Sequence, residues 1–110
     1  MTPRFARYAA IDWSGARGVR HKGIAVAVCE RGDAVPRLIH PPEGGFWSRS
    51  AVGQWLLAAA AEAPTLFGFD FSFAPPFVAR QAYLPGDEVP VTGPDFWAYV
   101  DHICDDPDLG

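Results

Sequence analysis

The hydrophobic period changes along this chain, and that change constrains the fold more than any other feature. From residue 23 to 30 the side chains alternate, with Ile24, Val26 and Val28 on one side and Ala25, Ala27 and Cys29 on the other. That is the period of two expected of a strand. Residues 5–13 and 35–40 read as strands too, and Pro36 suits an edge position because it has no N–H to donate. Short Gly-containing turns join the three, so they form an antiparallel meander. After Pro41, Pro42, Gly44 and Gly45 the spacing shifts: Val52, Trp55, Leu56, Ala59, Ala60 and Ala63 fall three and four apart. An amphipathic helix over about residues 49–63 follows, with Ser48 or Ser50 as its cap and Pro64 as its stop.

Residues 65–73 then form a nearly all-apolar run, expected to be a fourth strand covered on both faces. A short helical turn ends near Gln81. A last helix starts at Thr92, with Thr92 as N-cap, Pro94 in the first turn and Asp95 at the third position. Its buried stripe is expected to be Phe96, Tyr99, Val100 and Ile103. The order is therefore β-β-β-α-β-α in a single α/β domain over residues 1–110. A helix that joins the third strand to the fourth makes those two parallel, which allows the fourth to lie beside the first.

Composition narrows the function classes. The chain has 110 residues, 49% hydrophobic and 20% charged, which is ordinary for one globular domain. No run approaches the ~20 apolar residues of a membrane span, and the first apolar run is too short for a secretory leader. A cytoplasmic location is expected, with Cys29 and Cys104 as reduced, partly buried thiols. The net charge of −4 is unevenly spread. Residues 1–49 carry eight Lys or Arg against four acids, and residues 50–110 carry one against nine. A uniformly basic nucleic-acid surface is excluded, but a local basic hairpin of Arg17, Arg20, His21 and Lys22 is not. No P-loop, GxGxxG or GxSxG occurs.

One coincidence points to chemistry. The first strand ends in Ile11-Asp12-Trp13-Ser14 and the fourth in Phe69-Asp70-Phe71-Ser72. Each alone is the pattern of a turn former: Asp12 can bond the Ser14-Gly15 backbone, and Asp70 the Ser72 amide. Together, on neighbouring parallel strands, they put two carboxylates at the strand ends where open α/β sheets bind ligands. A buried Asp with apolar flanks is costly unless paired or metal-bound, and two such carboxylates a few ångströms apart repel each other, for which a shared proton or a divalent cation is the usual remedy. Ser48 and Arg49 are expected at the same edge, with Arg49 as a phosphate or carboxylate partner. Trp13 and Trp47, near that edge, are open to stacking on bases.

The meander, crossover helix and fourth strand, with Asp12 and Asp70 at matching ends, resemble the first half of the ribonuclease H-like fold. More narrowly, AAIDWSGA followed by GFDFSFAPP is similar to an uncharacterised bacterial family predicted to contain ribonuclease H-like nucleases. The resemblance covers about residues 5–80. It implies a two-metal nuclease, with Asp12 and Asp70 as catalytic metal ligands for Mg²⁺ or Mn²⁺. Ser14, Arg17, Arg20, Lys22 and Arg49 would then contact a nucleic-acid substrate. Two features depart from the pattern. The helix start carries no acid, and the chain stops before the fifth strand and the helix that bears a further acid, as the N-terminal part of a longer protein would. Two other readings stand beside this one. Asp12 to Gly18 partly resembles the phosphate loop of the actin and sugar-kinase fold, and the domain can also be a non-catalytic ribonuclease H-like binding module.

Overall fold

A computed structural model describes residues 4–71, 77, 81–86 and 88–104. The chain divides into two compact units, the first ending at Asp70 and the second starting at Phe71. The first contains strands β1 (Arg7–Asp12), β2 (Arg20–His21), β3 (Ala25–Glu30), β4 (Arg37–Ile39) and β5 (Trp47–Ser48), helix α1 (Arg49–Glu62) and strand β6 (Thr65–Phe69). The second contains helix α2 (Gly93–Ile103).

Four strands form a mixed sheet in the order β4-β3-β1-β6. β3 runs antiparallel to both β1 and β4, while β6 runs parallel to β1. The fourth long strand therefore lies beside the first, as the crossover predicts. The pairing starts where Pro64 ends the helix: its carbonyl accepts from the Ala6 and Arg7 amides at 2.8 and 3.3 Å. Arg7 ties the same end together, with Nε 3.0 Å from Glu30 and Nη1 3.1 Å from Glu62. Those two carboxylates, Glu62 foremost, raise the Arg7 pKa further.

Alternation decides the covered face. Ala9 and Ile11 of β1 and Val26 and Val28 of β3 are buried. Val52 of α1 joins Ile11, Ile24, Val26 and Trp47 in the core, with Trp55, Leu56, Phe67 and Phe69 packed against it. Val26 and Val52 are fully buried. Ser48 caps α1 with its Oγ, which accepts the Ala51 amide at 3.1 Å. No acid occupies the first turn. Ala60, expected on the buried face, is exposed.

Several expectations change here. β6 stops at Phe69, four residues earlier than predicted, and residues 72–76 lie outside the described residues. Its alternate residues Leu66 and Gly68 are exposed, so it is covered on one face, not both. An apolar run shows what a strand tolerates, whereas burial needs a layer on each side. The segment from Arg17 to Lys22 is not a simple hairpin tip either. Arg20 and His21 pair with Ser48 and Trp47 in a separate two-stranded ribbon. Trp47, 3% exposed, anchors it and donates from Nε1 to the Ile39 carbonyl at 3.2 Å. His21 is buried beside it, and among the described residues its Nε2 has no hydrogen-bond partner.

In the second unit α2 begins as expected. Thr92 Oγ1 accepts the Asp95 amide at 3.2 Å and donates to Asp95 Oδ2 at 2.7 Å. The Gln81 amide donates to the Phe77 carbonyl at 2.8 Å, and the helical turn expected before Gln81 falls on residues 78–80, outside the described residues. The predicted stripe is largely unburied. Phe96 is buried near the Tyr83 ring, but Tyr99 and Val100 are 41% exposed and Ile103 57%. Both cysteines are free; Cys29 is half-buried, whereas Cys104 is exposed and not partly buried as expected.

Candidate functional site

Asp12 is the last residue of β1, and Asp70 follows directly on β6. The parallel register pairs Ile11 with Phe69, so one step further sets Asp12 opposite Asp70. The inward turn of Ile11 and Phe69 sends both carboxyls to the other face at the carboxyl ends of the strands. The two carboxyls are within hydrogen-bonding contact.

Their electrostatics are unequal. The hydrogen bond to Asp70 pushes the Asp12 pKa up, and repulsion from the Asp70 charge adds to the shift. Asp70 is held below its ordinary value, first by the Trp13 amide and then by Asp12. The Trp13 N–H donates to Asp70 Oδ1 at 2.9 Å. Of the two, Asp12 is therefore the carboxyl that keeps its proton to higher pH. Repulsion at short range couples the pair, as expected, but the burial expected from their apolar flanks is absent. Both residues are instead exposed, and desolvation is a lesser cause than their proximity. Two carboxylates this close are relieved by a shared proton or by a cation.

The donor set suits a hard divalent ion. Mg²⁺ is commonly held by one or two carboxylates, with waters or substrate oxygens completing its octahedron. Exposure leaves room for those further ligands. Among the described residues no cluster of three or more His, Cys, Asp or Glu is placed to hold a metal. The residues present therefore fit an open, two-carboxylate site rather than a closed cage.

The remaining predicted residues divide into three groups. Arg49, the first residue of α1, does reach the loop that follows Asp12. Its Nη2 donates to the Ser14 carbonyl at 2.9 Å and to the Ala16 carbonyl at 2.7 Å. Ser14 shapes the same loop, since its Oγ accepts the Ala16 amide at 3.2 Å. That bond uses one of the amides a phosphate loop of the actin type would offer. Arg20 is matched by Glu43 at 2.6 Å and also donates to the Phe46 carbonyl at 3.2 Å. Arg17 and Lys22 are exposed on either side of β2. The expected basic cluster is thus split: one guanidinium is paired with an acid, and two cations face solvent. Trp47 is buried and so closed to base stacking, whereas Trp13 is half-buried and packs edge-on against Phe69 with centroids 6.0 Å apart.

Two features escaped the sequence reading. The Trp13 amide is a ligand of Asp70, and no residue pattern marks a backbone donor. A groove of about 530 Å³ beside the start of α1 is lined by Arg20, Pro42, Glu43, Ser50, Gln54 and Trp55, among others. Its walls come from three separate segments, which pattern reading along the chain does not join.

Among the described residues no helix is long and apolar enough to cross a membrane. Comparison with protein-family models, with curated proteins and with solved structures finds no match to this chain. Among the described residues the fold is mixed α/β, with a four-stranded mixed sheet and two helices.

Proposed function

We propose that this chain carries the metal-binding edge of a Mg²⁺- or Mn²⁺-dependent phosphodiesterase of ribonuclease H-like type that acts on nucleic acid. One observation carries the reading: Asp12 and Asp70 stand side by side at the carboxyl ends of adjacent parallel strands, where each carboxyl acts on the other. The strand order β4-β3-β1-β6 supports the ribonuclease H-like assignment.

In this reading Asp12 and Asp70 hold the ion. When bound, it supplies polarisation of a phosphoryl oxygen and a lowered pKa for an attacking water. The Trp13 amide keeps Asp70 ionised and fixes one of its oxygens. Arg17 and Lys22, both exposed, meet backbone phosphates and make binding salt-sensitive. Arg20 contributes less to that contact, because Glu43 already neutralises it.

The test is Mn²⁺-dependent cleavage of DNA and RNA by the full-length protein. Asp12→Asn and Asp70→Asn keep the side-chain shape and remove the charge. Each is expected to lower the cleavage rate by several orders of magnitude. An inactive wild type, or variants that match an active one, replaces this reading with that of a non-catalytic binding module.

A further inference from the structure

Arg49 stands where helix α1 begins, and its Nη2 bridges two carbonyls of the loop that follows β1. Those carbonyls belong to Ser14 and Ala16, and the Ser14 hydroxyl closes the same turn on the Ala16 amide. Trp13, one residue before Ser14, gives its amide to Asp70 Oδ1 at 2.9 Å. Arg49, the loop and Asp70 are therefore linked by consecutive hydrogen bonds. A planar guanidinium suits this position, because its fixed fork of donors can hold two acceptors in one geometry.

We propose that Arg49 is a positioning residue for the Asp12–Asp70 pair. By clamping the Ser14 and Ala16 carbonyls it fixes the loop that presents the Trp13 amide, and so sets the orientation of Asp70 toward a divalent cation. The proposal rests on the reading of the two carboxylates as a cation site. It replaces direct phosphate contact as the role of Arg49, since Nη2 donates to the protein main chain.

Arg49→Gln and Arg49→Lys test the clamp in two ways. The first is Mn²⁺ affinity by titration calorimetry. The second is amide hydrogen exchange in the metal-free protein, read at Trp13 with Val26 as the core reference. Groups that orient metal ligands change affinity by roughly 10–100-fold when removed. Arg49→Gln is expected to weaken Mn²⁺ binding by about tenfold or more on that scale, and to speed exchange at Trp13 while Val26 stays protected. Arg49→Lys keeps the charge but not the planar fork, so it is expected to fall between Gln and wild type. It also carries the test if Arg49→Gln does not fold. Wild-type affinity with unchanged Trp13 protection in both variants overturns the proposal. If the wild type binds no Mn²⁺, the cation-site reading fails by itself. Trp13 exchange then still decides whether the clamp exists, and an unchanged rate rejects it.

Discussion

At the residue scale the two aspartates respond to pH with opposite signs. The folded state holds the Asp12 proton more tightly than the unfolded chain does, because of Asp70. Stability from this group is therefore lost as pH rises from the ordinary carboxylate range through the raised value. Asp70 behaves in the reverse way. Held low by the Trp13 amide, it contributes stability above its ordinary pKa, and this is lost as pH falls toward the lowered value. Asp12→Asn is thus expected to raise the unfolding midpoint at neutral pH and to lose that advantage in acid. Asp70→Asn is expected to lower the midpoint at neutral pH, by a margin that shrinks in acid. Thermal unfolding of the three proteins across pH checks both signs, and parallel curves contradict them. His21 gives a separate residue-scale expectation. Its buried Nε2 lacks a partner among the described residues, and such a group costs about 1–3 kcal/mol when left unsatisfied. His21→Phe, close in shape and apolar, is expected to leave stability unchanged or raise it by about 1 kcal/mol in urea unfolding. A loss of that size would show that the imidazole makes a bond after all.

At the element scale the long pieces were legible and the short ones were not. Alternation at Ile24, Val26 and Val28 marks β3, and the i, i+3, i+4 spacing marks α1 to within a residue of its observed end. β2 and β5 have two residues each, too few for any period, and their pairing joins segments far apart in the chain. The exposed residues of β6 and of α2 were misjudged for another reason. Apolar pattern reports which face can be covered, and the covering layer is a tertiary fact. The capping prediction is more local and held at both helices, where Ser48 and Thr92 accept the amides three residues on. Ser48→Ala is expected to destabilise the first unit by about 1 kcal/mol, read from the shift in urea midpoint. No shift would mean that water replaces the hydroxyl at the start of α1.

At the scale of the whole molecule, chain topology creates the candidate site. Asp12 and Asp70 are far apart in sequence, and each alone is an ordinary strand-end residue. The crossover through α1 makes β6 parallel to β1 and its neighbour, which sets the two carboxyls in contact. The matched motifs and the inferred topology were enough to predict that the two carboxyls share one edge of the sheet on neighbouring parallel strands. They were not enough to show that the pair is exposed, or that a backbone amide breaks its symmetry, since both depend on the loop after Asp12. The most direct measurement of the central claim is Mn²⁺ titration calorimetry on the wild type, Asp12→Asn and Asp70→Asn. One ion is expected to bind the wild type, with binding lost in either variant. An absence of binding to wild type, or binding retained in both variants, contradicts the account.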